Sequence, residues 1–310
     1  MLQNLNCTKT QFSQNDSNNY NMVNLYSFIK QSDDFIKLEA NELLFVEYTC
    51  VQEETKFGIW SDSNYFAFVL SGKKMWRTIY HDYEVEKGDI LFIKKGANLT
   101  HQFFEDEFCA IFFFIPDDFI KTFFSKNTSF LNASQKQLSN QDAVLRVKSN
   151  QLLENYRESI SSYLTLDQKP SSQLIKLKFE ELLLSLCVSK DHQDLADYLV
   201  SLCQDQTYHM TRIMEENFGY NLKIEDYAKL CHMSLSKFKK AFKDHYKITP
   251  GLWLKQRKLD LALHHLLNTD LPINQLSFES GFEDPSHFIR VFKQKYNTTP
   301  LKYRNLQTNT

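Results

Sequence analysis

Two stretches in the last third of the chain gather polar and basic side chains at helical spacing. The first offers Ser236, Lys237, Lys239, Lys240 and Lys243, and the second Ser286, His287, Arg290 and Lys293. Lysine and arginine reach guanine acceptors and phosphate oxygens, and serine or histidine can meet other base edges. The chemistry on offer is recognition of double-stranded DNA, with no bond made or broken. One such set would suit any solvated helix face; two linked sets argue for a paired reader.

Each set needs an element to present it, and the flanking sequence supplies that element twice. Ile224 to Leu230 reads as a short amphipathic helix, Cys231-His232-Met233 as a tight turn, and Ser234 as the N-cap of a helix running to His245. In the second copy Ile273 to Ser280 is the short helix, Gly281-Phe282-Glu283 the turn, and Asp284 caps a helix opened by Pro285. Ala228 and Ser277 supply the small residue needed where the paired helices cross. Leu235, Phe238, Ala241 and Phe242, or Phe288, Val291 and Phe292, form the core stripe, which leaves Ile289 on the exposed side. Both copies then repeat one ending, Phe242-Lys243-x-x-Tyr246-x-x-Thr249-Pro250 and Phe292-Lys293-x-x-Tyr296-x-x-Thr299-Pro300.

The run Gly281-Phe282-Glu283-Asp284-Pro285-Ser286-His287-Phe288-x-Arg290-x-Phe292-Lys293, followed by Thr299-Pro300-x-x-Tyr303-Arg304, resembles the signature of AraC/XylS-type transcriptional regulators. The resemblance spans about Tyr208 to Arg304. It implies two helix-turn-helix subdomains joined by a long helix, here Gly251 to Asn268, with recognition helices in major-groove segments about one DNA turn, ~34 Å, apart. By position it implies base contacts for Ser236, Lys239 and Lys240 and for Ser286, His287 and Arg290, and phosphate contacts for Lys237, Lys243 and Lys293. The chain departs from the family at His232, where glycine is usual in the first turn, at Lys247 and Asn297, where glycine commonly precedes the Thr-Pro element, and at Lys258, where arginine is usual. A positive φ would strain Lys247, whereas histidine and asparagine tolerate that region better.

Charge follows the same division. The 310 residues suit two domains of roughly 150 each. Lys plus Arg number 36 against 38 Asp plus Glu, but Asp205 to Thr310 carries 16 against 11, leaving an acidic remainder. With 42% hydrophobic residues, 26 Phe and 15 Tyr, wholesale disorder is excluded. No apolar run approaches the ~18 residues of a membrane span, and Met1 to Asn21 lacks the regions of a signal peptide, so no membrane partner and a cytoplasmic location are expected. Six scattered cysteines (Cys7, Cys50, Cys109, Cys187, Cys203, Cys231) form no Cys-x-x-Cys pair and read as reduced, mostly buried thiols.

From Glu42 to Pro116 short apolar runs broken by turns predict several strands, at Leu43 to Tyr48, Tyr65 to Leu70, Lys74 to Tyr80, Asp89 to Ile93 and Phe108 to Ile115, in a sandwich or barrel. Phe112 to Phe114 reads as buried strand. Gln151 to Leu166, Ser171 to Val188 and Asp194 to Cys203 have helical spacing, the second with an apolar face of Leu174, Leu177, Phe179, Leu182, Leu183 and Leu186. Phe66 to Pro116 resembles the cupin-like regulatory domain of the same family. Ser71-Gly72-x-x-x-Trp76-Arg77-Thr78 and Lys87-Gly88-Asp89-Ile90-Leu91-Phe92-Ile93-Lys94-Lys95-Gly96 resemble the activators of type III secretion genes. That subgroup implies a protein effector, the wider family a small-molecule effector, and both imply dimerising linker helices and, for an activator, contact with RNA polymerase.

The expected fold is α+β. It has a flexible lead-in at 1–20, a cupin-like β barrel at 21–130, a helical linker and dimerisation region at 131–204, and an all-α double helix-turn-helix domain at 205–310. The expected function is a sequence-specific transcriptional activator, and the rival is an architectural DNA protein without site preference. An enzymatic cupin is disfavoured: His81 and His101 are the histidines of the strand region, with no His-x-His, and at least two metal ligands are missing. The isolated cysteines also argue against a repair methyltransferase with a metal-bound acceptor cysteine. No catalytic residue, cofactor or metal is expected.

Overall fold

The computed structural model describes residues 22–50, 56–79, 81–102, 108–133, 142–203 and 206–307. The polar lead-in at 1–20 lies outside the described residues. The chain divides into two units between Asp205 and Gln206.

The first unit runs β1 (Met22–Asn24), α1 (Leu25–Gln31), β2 (Ile36–Ala40), β3 (Leu43–Cys50), β4 (Lys56–Ser61), β5 (Asn64–Ser71), β6 (Lys74–Arg77), β7 (Asp82–Val85), β8 (Ile90–Ile93), β9 (Gly96–Gln102), β10 (Phe108–Ile115), α2 (Asp117–Lys126), β11 (Val144–Val147), α3 (Gln151–Leu164), α4 (Ser172–Val188) and α5 (Gln193–Ser201). The strands form two sheets, ordered β1-β4-β9-β6-β7 and β11-β8-β5-β10-β3-β2. This corrects the expected barrel: among the described residues no single sheet closes on itself.

The composition of the central strands explains why. A strand exposes alternate residues on opposite faces, yet β5 and β10 are apolar at almost every position. One face of the six-stranded sheet (Leu44, Val46, Tyr65, Ala67, Leu91, Phe112, Phe114) packs with Trp76 and Val85 of the other sheet. The opposite face (Leu43, Phe45, Phe66, Phe92, Phe113) packs under the helices. Phe179 of α4 stacks on Phe45 at 4.1 Å, Tyr156 of α3 meets Phe113 edge-on at 5.8 Å, and Tyr198 of α5 meets Phe92 at 5.4 Å. Three layers result, and the Phe112 to Phe114 run is buried strand feeding both interfaces, as expected.

Two boundaries differ from expectation. Residues 144–147, assigned from sequence to a helical linker, return to the sheet as β11 beside β8. In α4, Leu174 and Leu177 lie outside the core, at 36% and 53% exposure, and Ile175 takes the inner position. The helix is apolar around much of its circumference, so spacing alone does not say which side meets the sheet. Burial is also less general for the thiols: Cys231 is buried, Cys109 and Cys187 are half-buried, and Cys203 is exposed.

A polar knot ties the layers. Lys95 Nζ lies 2.6 Å from Asp117 Oδ2, both side chains 1% exposed. Asn64 Nδ2 donates to Asp117 Oδ1 at 2.8 Å, while Asn64 Oδ1 accepts from the Lys95 amide at 3.0 Å and the Tyr198 hydroxyl at 2.7 Å. A buried ion pair pays for its desolvation only with such added hydrogen bonds.

The second unit is helical: α6 (Gln206–Asn217), α7 (Ile224–Leu230), α8 (Leu235–Tyr246), α9 (Pro250–Asn268), α10 (Ile273–Glu279), α11 (Pro285–Tyr296) and α12 (Pro300–Gln307). Both predicted helix-turn-helix pairs, α7–α8 and α10–α11, are present, with α9 as the linking helix.

Candidate nucleic-acid interface

The two pairs are built by the same hydrogen bonds. Each short helix ends in a left-handed residue, His232 at φ 52° and Gly281 at φ 82°. The following amide then reaches back to the crossing residue, Met233 N to Ala228 O at 2.9 Å and Phe282 N to Ser277 O at 3.0 Å. This six-to-one closure satisfies a helix-end carbonyl and turns the chain sharply. Ala228 and Ser277 are both buried, which is why a small residue is required there.

The second helices start from side-chain caps. Ser234 accepts from the Lys237 amide at 3.3 Å, and Asp284 accepts from the Ser286 and His287 amides at 2.9 and 3.1 Å. They end at Lys247 (φ 61°) and Asn297 (φ 58°), both left-handed C-caps. Thus Lys247 does occupy the conformation that disfavours its side chain.

The repeated ending has a packing cause. Phe242 and Tyr246 lie 4.5 Å apart and meet Trp253 at 6.0 and 5.5 Å. Phe292 and Tyr296, also 4.5 Å apart, both meet Tyr303 at 5.8 Å. Thr249 caps α9 and Pro250 opens it. The motif therefore records a ring triad and a helix start.

With Phe238, Phe242, Phe288, Val291 and Phe292 buried, the opposite faces are fixed. Ser236, Lys237, Lys239, Lys240 and Lys243 on α8 are all exposed, as are Ser286, His287, Arg290 and Lys293 on α11. Leu235 and Ala241 are only half-buried. Ile289, expected on the exposed side, is half-buried and packs on the second subdomain's core. His81, by contrast, is an exposed loop residue whose Nδ1 lies 2.8 Å from Asp142 Oδ1. The His101 side chain lies outside the described residues.

Sequence reasoning left unassigned a set of residues beneath this surface. Lys258 Nζ donates to the Gly281 carbonyl at 2.6 Å, and burial pushes its amine down to about 8. Asn221 Nδ2 donates to Glu283 Oε1. Arg257 Nη2 lies 2.6 Å from Glu215 Oε2, with its guanidinium 4.8 Å from the Phe218 ring centre. The available signal was lysine at the family's arginine position in α9.

Two helix-turn-helix pairs on one linking helix define a DNA-binding regulator. Comparison with known proteins agrees: residues 64–198 match the family described as the ExsA N-terminal regulatory domain, and residues 227–306 match a helix-turn-helix domain. The virulence regulon transcriptional activator VirF of Yersinia enterocolitica is 25% identical over 236 residues, 76% of this chain and 87% of VirF. The transcriptional regulator ExsA of Pseudomonas aeruginosa is 22% identical over 236 residues, covering 76% and 84% respectively. Among solved structures, ToxT of Vibrio cholerae aligns over 84% of this chain and 97% of its own at 15% identity, with a TM-score of 0.40. In both halves the chain is therefore similar to transcriptional regulators of the AraC/XylS kind, the N-terminal match being to the regulatory domain of ExsA and the C-terminal one to a helix-turn-helix domain.

Proposed function

We propose that this regulator is an activator that reads two blocks of DNA about one helical turn, ~34 Å, apart, one with each helix-turn-helix pair. Ser236, Lys239 and Lys240 meet base edges in one block, and Ser286, His287 and Arg290 in the other. Lys237, Lys243 and Lys293 hold phosphates and fix the register. The observation that carries this reading is the exposure of all nine side chains on helices whose opposite faces are buried and whose starts are capped. Lys239→Ala and Arg290→Ala should each weaken cognate binding by on the order of 1–3 kcal/mol and relax one or two positions of the site. Lys243→Ala should weaken all sequences alike and reduce the salt slope by about 1. Equal losses on cognate and random DNA for the first two would favour the architectural alternative.

The first unit acts as sensor and dimer platform. From Leu174 onward the exposed residues of α4, Leu174, Leu177, Glu181, Leu184 and Val188, recur at alternating intervals of three and four. That is the seam of a two-stranded coiled coil, and it supports pairing with a second copy. Leu177→Lys should shift sedimentation toward a monomer while leaving the fold intact; an unchanged dimer would remove α4 from the interface.

The effector acts on the sandwich. A protein partner is the reading drawn from the type III secretion subgroup, and a small anionic molecule with a flat apolar body is the second. The second is favoured by Lys74, a buried cation with its amine 5.0 Å from the Phe108 ring centre and 5.1 Å from that of Tyr48. The activator works in the cytoplasm with RNA polymerase and carries out no chemistry of its own. No described helix is long and apolar enough to cross a membrane.

A further inference from the structure

The turn of the second helix-turn-helix does more than join α10 to α11. A Cβ on Gly281 would lie 2.4 Å from the Gly219 carbonyl oxygen and 2.9 Å from its carbon. Gly219 sits between α6 and α7, in the first subdomain. The two subdomains therefore touch backbone to backbone, at a distance only glycine allows, and with the left-handed φ of 82° that glycine adopts most readily.

Side chains fasten this contact from three directions. Lys258, on α9, donates to the Gly281 carbonyl at 2.6 Å, so the linking helix holds the turn directly. Asn221, two residues beyond Gly219, donates to Glu283, two residues beyond Gly281. Arg257 pairs with Glu215 at 2.6 Å and lies 4.8 Å from the Phe218 ring centre, which holds the far side of the same loop on α9. One helix alone could bend or twist between its ends. A second attachment away from its axis removes that freedom and fixes α11 relative to α8.

We propose that this clamp, Gly219 and Asn221 against Gly281 and Glu283 with Lys258 beneath, is a positioning device that sets which spacing between DNA blocks the protein accepts. None of its residues is among the nine assigned to DNA, yet they contribute to specificity, because a rigid pair of heads on a wrongly spaced site must distort either itself or the duplex. The inference rests on the reading that both α8 and α11 enter DNA.

The test is selection from random duplexes of roughly 30 base pairs, long enough for two blocks about one turn apart, by the full-length protein and its Lys258→Met, Asn221→Ala and Gly281→Ala forms. The readout is the distribution of spacings between recovered blocks. Wild type should recover one dominant spacing. The variants should recover the same two blocks with neighbouring spacings enriched roughly tenfold relative to wild type, a difference of about 1.4 kcal/mol. Lys258→Met and Asn221→Ala keep the test available should Gly281→Ala fail to fold, as judged by circular dichroism. Folded variants that bind more weakly but keep the single wild-type spacing would overturn the clamp and leave the two-headed reading intact. A wild type that recovers one block, or none, would overturn both.

Discussion

The two helix-turn-helix pairs are the same device made with different residues. Both cross at a small buried side chain, Ala228 or Ser277, and both brace the recognition helix with a ring triad. They differ where the backbone turns left-handed: His232 and Lys247 in the first pair stand opposite Gly281 and Asn297 in the second. They differ also at the cap, a single serine bond against two bonds to an aspartate. On the exposed faces α8 carries four lysines, whereas α11 carries Ser286, His287, Arg290 and Lys293. The lesson is that packing fixes the frame while caps, turns and surface residues vary within it. The first copy is the more strained and the more purely basic, and the second combines better local geometry with a more varied set of exposed hydrogen-bonding groups.

The largest effect tests the shared part of the frame. Phe242 and Phe292 are fully buried in equivalent places. Replacement of either by alanine should lower stability by about 3–5 kcal/mol in denaturant unfolding. Closely matched losses would support equivalent packing; a loss confined to one copy would break the comparison. The caps should separate next. Asp284→Ala should lose about 1–2 kcal/mol and Ser234→Ala about 0.5–1 kcal/mol, and the opposite order would remove the cap as a distinction. The smallest change should be a gain: Lys247→Gly should raise stability by about 1 kcal/mol by relieving its left-handed backbone, and Asn297→Gly by less, since asparagine tolerates that region. A loss at Lys247 would mean that its 2.6 Å bond to the Asp244 carbonyl outweighs the strain.

The DNA-reading half was legible almost to the residue because its signals are local. Ser234, Asp284, Pro250 and Pro285 mark helix starts through their own hydrogen bonds or fixed φ, and no distant contact is needed to interpret them. The N-terminal half was legible only in its apolar strands. β9, Gly-Ala-Asn-Leu-Thr-His-Gln, carries only Ala97 and Leu99 as apolar residues, and its buried positions include the polar Asn98 and Thr100, so its pattern does not mark it as a core strand. β11 has four residues and is recognisable only through its pairing with β8. The core side of α4 was misread because the helix has apolar residues on two faces, and only the sheet it covers distinguishes them. The clamp lay beyond sequence reasoning for a similar reason: Gly219 and Gly281 are 62 positions apart, and nothing local to either announces the other.

The most direct measurement is selection of bound fragments from random DNA by the purified full-length protein at ~150 mM salt, where charge-only binding is suppressed. The account predicts an asymmetric motif of two blocks about one helical turn apart, with Arg290→Ala relaxing positions in one block and Lys239→Ala positions in the other. Binding without a recoverable motif, with losses that follow charge alone, would contradict it.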